Sequence, residues 1–164
     1  MLANANDTLA ENWFVARTRY YRQEIKIRDW LDRRGIEAFV PTQNNKPAAP
    51  NLVFLKTTKE MACSLRTDHS LPMQYIIDCA THKMLVVPDK QMEDFRRVFD
   101  LSLDKGGLTG QPLSLGDRVR ITKGPLRGVE GSVVDIAGQT YIAVSLIGAL
   151  WAKARVPKAW LELA

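Results

Sequence analysis

Apolar positions along the chain change period several times, and the changes predict the elements. Trp13, Phe14 and Val15 open an extended, β-prone run. From Arg22 to Arg34, Ile27, Trp30 and Leu31 fall at the i, i+3, i+4 spacing of a one-sided helix, which Gly35 is placed to close. Glu37-Ala38-Phe39-Val40 resumes an extended run that ends at Pro41. The stretch Thr42–Asn51, rich in Asn, Pro and Ala, reads as a mobile loop. Leu52-Val53-Phe54-Leu55-Lys56-Thr57 then predicts a strand apolar on both faces, so each face requires a cover. Thr57-x-x-Glu60 is a capping-box pattern opening a helix with Met61 and Leu65. Met73–Ile77 and Met84–Val87 read as a hairpin around the polar turn Asp78–Lys83. After Pro88, Met92, Phe95 and Phe99 form the stripe of a last helix.

This order, β-α-β-β-α-β-β-α, predicts an α+β domain over 13–99, a sheet with helices packed on it. Residues 100–113 are Gly-rich, have few large side chains and read as a flexible linker. Over 114–164 the pattern becomes short β-branched runs punctuated by turns: Arg118–Ile121, Val129–Ile136, Tyr141–Ile147 and Trp151–Val156. That spacing predicts a small β-barrel.

Charge refines this picture without overturning it. The 164 residues carry a formal net charge of +5. Residues 1–99 have 15 basic and 12 acidic side chains, 100–113 have one and two, and 114–164 have seven and four. A local basic face is expected, not a nucleic-acid coat. The richest basic stretch is Arg17–Arg34, with Arg19, Arg22 and Lys26 at the start of its helix. They fit either a solvated face or phosphate contact, with Tyr20 or Tyr21 available to stack on bases.

Chemistry is not expected. His69 and His82 stand apart, Cys63 and Cys79 lack metal-ligand spacing, and no nucleophile or phosphate-loop motif appears. A non-enzyme without metal or cofactor follows, with both cysteines expected as small buried hydrophobes. Polar residues 1–12 give no secretory signal, and no apolar run is long enough to span a bilayer, so a cytoplasmic monomer with no membrane partner is expected.

Two patterns carry a resemblance. Gly116-Asp117-Arg118-Val119-Arg120-Ile121-Thr122-Lys123-Gly124-Pro125-Leu126-Arg127-Gly128-Val129-Glu130-Gly131 resembles a KOW motif, found in SH3-like β-barrels of ribosomal proteins and NusG-type transcription factors, so the resemblance implies a small SH3-like β-barrel here. Trp13-Phe14-Val15, the basic helix, Gly35–Pro41 and Val86-Val87-Pro88-Asp89 resemble, in that order, the NGN domain of NusG. Together they cover about residues 13–163. Ala49–Phe54 departs from the family's Leu-Phe-Pro-Gly-Tyr-like entry to this strand, with Asn51 in place of Gly. With Met73–Asp94, this looks closer to the specialised RfaH-like and UpxY-like paralogues.

The resemblance implies a transcription factor that binds the clamp helices of RNA polymerase and suppresses pausing and termination. It implies operon-specific action of the capsular-polysaccharide type. Leu52, Phe54 and Tyr75 match the polymerase-binding positions, with burial in the protein's own core as the alternative. Arg19, Arg22 and Lys26 match the region facing non-template DNA or nascent RNA. Gly116, Arg118, Val119, Gly124, Gly128 and Gly131 are the KOW positions. The KOW domain would recruit a ribosomal protein or Rho; Leu146, Ile147, Leu150 and Trp151 around Gly148 supply either that surface or barrel core. The β-branched runs favour a stable β state over refolding into helices. The alternative function is a ribosome-associated KOW RNA-binding protein.

Overall fold

A computed structural model describes residues 10–20, 23–43, 46–49, 51–102, 108–109, 115–147 and 150–164. The chain is a mixture of α and β that divides into two compact units, Met1–Asp89 and Lys90–Ala164.

In the first unit a central strand, β1 (Glu11–Thr18), pairs antiparallel with β5 (Leu52–Thr58), which pairs in turn with β2 (Glu37–Phe39). Along its other edge β1 takes β6 (Met73–Tyr75) and then β7 (Val86–Val87). A single bridge, Ile77 to Met84, joins the last two runs, so the expected hairpin is mostly turn. Two short strands, β3 (Thr42–Gln43) and β4 (Lys46–Pro47), pair within the segment expected to be loop.

Helix α1 (Gln23–Asp32) buries Ile27 and Leu31, four residues apart on one stripe. Its end is closed by Gly35 at φ 73°, with the Ile36 N–H donating to Leu31 O at 3.0 Å in a Schellman-type cap. Helix α2 (Lys59–Thr67) starts one residue later than the capping-box pattern predicts. Thr58 is the cap, accepting from the Met61 N–H at 3.1 Å, because β5 continues through the buried Thr57. Both helices pack on the sheet face that carries Phe14, Ala16, Val53, Leu55, Met73 and Tyr75. Burying a side chain such as Leu55 or Leu65 contributes roughly 1.5–3 kcal/mol.

The second unit begins earlier than the sequence predicts. Helix α3 (Asp89–Ser102), expected to finish the first domain, belongs with it and runs two residues beyond the expected start of the linker. Linker residues 103–107 and 110–113 lie outside the described residues, while Leu108–Thr109 forms strand β8. The other strands are β9 (Arg118–Ile121), β10 (Glu130–Ile136), β11 (Gln139–Leu146), β12 (Leu150–Arg155) and β13 (Leu161–Leu163). Among the described residues they pair antiparallel in the order β13-β9-β10-β11-β12-β8, and no strand pairing there closes this series into the expected barrel. Ala137 and Gly138, at φ 51° and 79°, make the two-residue turn between β10 and β11.

Polar side chains of α3 grip this unit's main chain. Lys90 Nζ donates to Gly128 O at 2.9 Å, and Arg97 Nη2 donates to Pro125 O and Arg127 O at 3.1 and 2.8 Å. The Glu130 N–H donates to buried Asp94, which also pairs with Lys90 at 2.6 Å.

Candidate partner and nucleic-acid surfaces

Residues paired directly across an antiparallel ladder point to the same side of the sheet. Val15 faces Phe54, Arg17 faces Leu52, and Trp13 faces Val87, so these residues share the side opposite α1 and α2. Phe54 is 0% exposed and Leu52 8%. The half-buried Phe39 ring lies 6.1 Å from that of Phe54.

Tyr75 departs from the expected grouping. It pairs with Ala16 and therefore lies on the helix-covered side, its hydroxyl donating to Ala62 O at 2.7 Å and its ring edge-on to Phe14. Burial pushes the phenol's pKa well above its ordinary value. Leu52, Phe54 and Tyr75 thus form no common exposed patch: two lie on one side, one on the other, and all three are buried.

The basic residues gather at the C-terminal end of β1. A cleft of about 590 Å³ is lined by Arg17, Thr18, Arg19, Tyr20, Arg66, Ser70, Leu71, Pro72, Met73 and Gln74. The Arg19 N–H donates to Pro72 O, tying the strand end to the loop that forms the opposite wall. Arg17, Arg19 and Arg66 form no ion pair among the described residues, and Tyr20 is 61% exposed. Sequence reasoning named Arg19 as a site residue but not Arg17, two residues before it on β1, or Arg66, which α2 brings in from another element. Lys26 lines a second, smaller cavity of about 210 Å³ with Gln23, Ile27, Trp30, Leu71 and Pro72. Leu71 and Pro72 border both cavities. Arg22 and Tyr21 lie outside the described residues.

Two supports stand beside the cleft. Thr18 donates to Oε1 of fully buried Glu24 at 3.1 Å, while Oε2 finds no hydrogen-bond partner. The Arg34 guanidinium lies 3.4 Å from the Trp30 ring centroid, and His69 meets the same ring edge-on at 5.3 Å.

In the second unit the KOW-like positions explain themselves locally. Arg118 and Arg120 point outward while Val119 and Ile121 are buried, the alternation expected of β9. Gly124 has φ 84°, and a Cβ there would lie 2.4 Å from the Trp160 ring. At Gly131 a Cβ would lie 2.5 Å from Ala143 O, and at Gly116 2.8 Å from Val133 Cγ1. Gly128 needs φ 89° but has open space around it. Arg120 bridges Glu130 at 2.8 Å and Glu162 at 3.5 Å, which ties β10, β9 and β13 together. Its side-chain hydrogen bond holds the Glu130 carboxyl below the usual carboxylate range.

Around the expected apolar bend, Leu146 and Leu150 are buried and Ile147 and Trp151 half-buried; Gly148 lies outside the described residues. Cys63 and Cys79 are both exposed, contrary to expectation: Cys63 follows buried Ala62 onto the outer side of α2, and Cys79 sits in the turn after β6. Among the described residues no group of three His, Cys, Asp or Glu is placed to hold a metal, and no helix is long and apolar enough to cross a membrane.

No protein-family model matches the chain, and no curated protein matches it in sequence. Among solved structures, a chain of the crystal structure of the MjSpt4:Spt5 complex, conformation A, aligns over 93% of this chain and 97% of its own length. Identity is 13% and the TM-score 0.32, so the two share too little geometry for one to inform the other.

Proposed function

We propose that this chain is a NusG-like transcription elongation factor, specialised for particular operons of the capsular-polysaccharide type. It acts by binding, without chemistry of its own. The observation that carries the reading is the ordered pair of patterns in one chain. Trp13–Pro41 builds a sheet-and-helix unit, and the Gly116–Gly131 pattern follows it on strands whose backbone needs glycine at Gly124 and Gly131.

Leu52 and Phe54, with Trp13, Val15 and Val87 on the same side, are the proposed seat for the clamp helices of RNA polymerase. Tyr75 is left out of that seat because its hydroxyl is committed to Ala62. Since Phe54 is buried, docking requires this side of the sheet to open, and the cost lowers the apparent affinity of the whole chain. Bridging the clamp would favour the closed, processive polymerase through its differential affinity for that state. Arg19 and Lys26, with Arg17 and Arg66 added from the cleft, would hold non-template DNA or nascent RNA near the fork. Arg22 enters on resemblance alone. A ribosomal protein or Rho is the proposed partner of the second unit.

Affinity purification of the tagged chain from nuclease-treated lysate tests the reading. Polymerase subunits are the expected co-purifying proteins. Ribosomes without polymerase would replace the proposal with the ribosome-associated alternative, and recovery of neither would remove it.

A further inference from the structure

Two hollows adjoin near the C-terminal end of β1, and their linings differ in kind. The larger, about 590 Å³, takes Arg17 from β1, Arg19 from just beyond it and Arg66 from the last turn of α2. All three arginines are exposed and form no ion pair among the described residues. The smaller, about 210 Å³, is lined by Ile27 and Trp30 of α1, with Gln23 and Lys26. Leu71 and Pro72 line both, so the wall between them is shared. Gln23 also ties the two together: its Oε1 accepts from the Tyr20 N–H at 3.2 Å, which leaves Nε2 as the amide's remaining donor.

We infer that the two hollows together bind a free nucleoside diphosphate, its phosphates against Arg17, Arg19 and Arg66 and its base against Ile27, Trp30 and Leu71. A guanidinium is a planar fork that matches phosphate oxygens two at a time. Forks from separate elements around one volume suit two linked phosphates better than one. A base is a flat ring with a polar edge, and the adjoining hollow offers apolar side chains to its face and the Gln23 amide to its edge. Clefts of roughly 300–1,000 Å³ with apolar walls and a few convergent polar groups are those that take small molecules. Ser70, on the wall of the larger hollow, holds φ 52°, a strained value for a residue with a Cβ and one that recurs at ligand clamps. A simple anion would leave the apolar hollow unused. A nucleic-acid strand would present a base with every phosphate, whereas here one apolar hollow adjoins one cationic hollow. The nucleotide shares its arginines with the strand proposed above and would act as a soluble competitor of it. That regulatory consequence rests on the strand reading; the binding itself does not.

Isothermal titration calorimetry of the full chain with adenosine diphosphate, uridine diphosphate and inorganic pyrophosphate provides the test. At least one of the two nucleotides should bind about 5- to 150-fold more tightly than pyrophosphate, the gain from one stacked base. Arg66→Ala should weaken that nucleotide and pyrophosphate alike, by about tenfold or more. Gln23→Ala should weaken the nucleotide and leave pyrophosphate unchanged, and thermal melts verify that each variant is folded. The inference is overturned if neither nucleotide binds more tightly than pyrophosphate, or if Arg66→Ala leaves nucleotide affinity unchanged. A labelled single strand of about 12 nucleotides separates this failure from that of the strand reading. Strand binding that depends on Arg66, with no nucleotide bound, sinks the inference alone. Nucleotide bound as described, with no strand binding, upholds the inference and sinks the strand reading.

Discussion

Tyr75 donates to the Ala62 carbonyl at 2.7 Å from a position where its ring also meets Phe14 edge-on. Tyr75→Phe removes one buried hydrogen bond and keeps the packing, so a loss of about 1 kcal/mol in urea unfolding is expected. Phe54→Ala, at a site with no exposure, should cost about 3–5 kcal/mol in the same measurement. Consequently, alanine at Phe54 or Tyr75 cannot report polymerase binding without a parallel measurement of stability. Gly124 is a different kind of position, where a side chain has neither a comfortable φ nor space beside Trp160. Gly124→Ala should lose on the order of 1–2 kcal/mol from the backbone alone, with Trp160 fluorescence shifting as its ring is displaced. Period-two alternation made Leu52 and Phe54 companions from sequence, and the ladder agrees. The side taken by Tyr75 depended on its register against Ala16, which no local pattern encodes.

At the scale of elements, helices and strands with a strong one-sided pattern were legible to within a few residues. The stripe Ile27–Leu31, the alternation Arg118–Ile121 and the stripe Met92–Phe95–Phe99 each became the element expected. Short strands were not: β8 and β13 draw their regularity from pairing with β12 and β9, not from their own composition. The assignment of α3 to the second unit was hidden for a related reason. Its apolar stripe says that it packs, whereas Lys90, Gln91, Asp94 and Arg97 specify the main-chain groups it grips. Asp94 is central to that grip because it is buried and serves both Lys90 and the Glu130 N–H. Asp94→Ala leaves that N–H without its acceptor and should cost about 1–3 kcal/mol. Hydrogen exchange at the Glu130 amide should rise more than at Val133, whose N–H bonds instead to Asp117 O. Equal protection of Glu130 in both proteins would show that the helix is held by its apolar side alone.

On the scale of the whole chain, a modest net charge of +5 conceals a basic cleft in the first unit. The composition showed a surplus in both halves but not its grouping, because Arg17, Arg19 and Arg66 converge only through the pairing of β1 with β6 and the run of α2. Their grouping has a measurable consequence. Arginines that contact phosphate release counterions on binding, so each contact adds to the salt dependence, by about 0.7 for a single strand. Arg19→Ala with Arg66→Ala should therefore lower the slope of log affinity against log salt by about 1.4, while unfolding midpoints change little because neither residue forms an ion pair among the described residues.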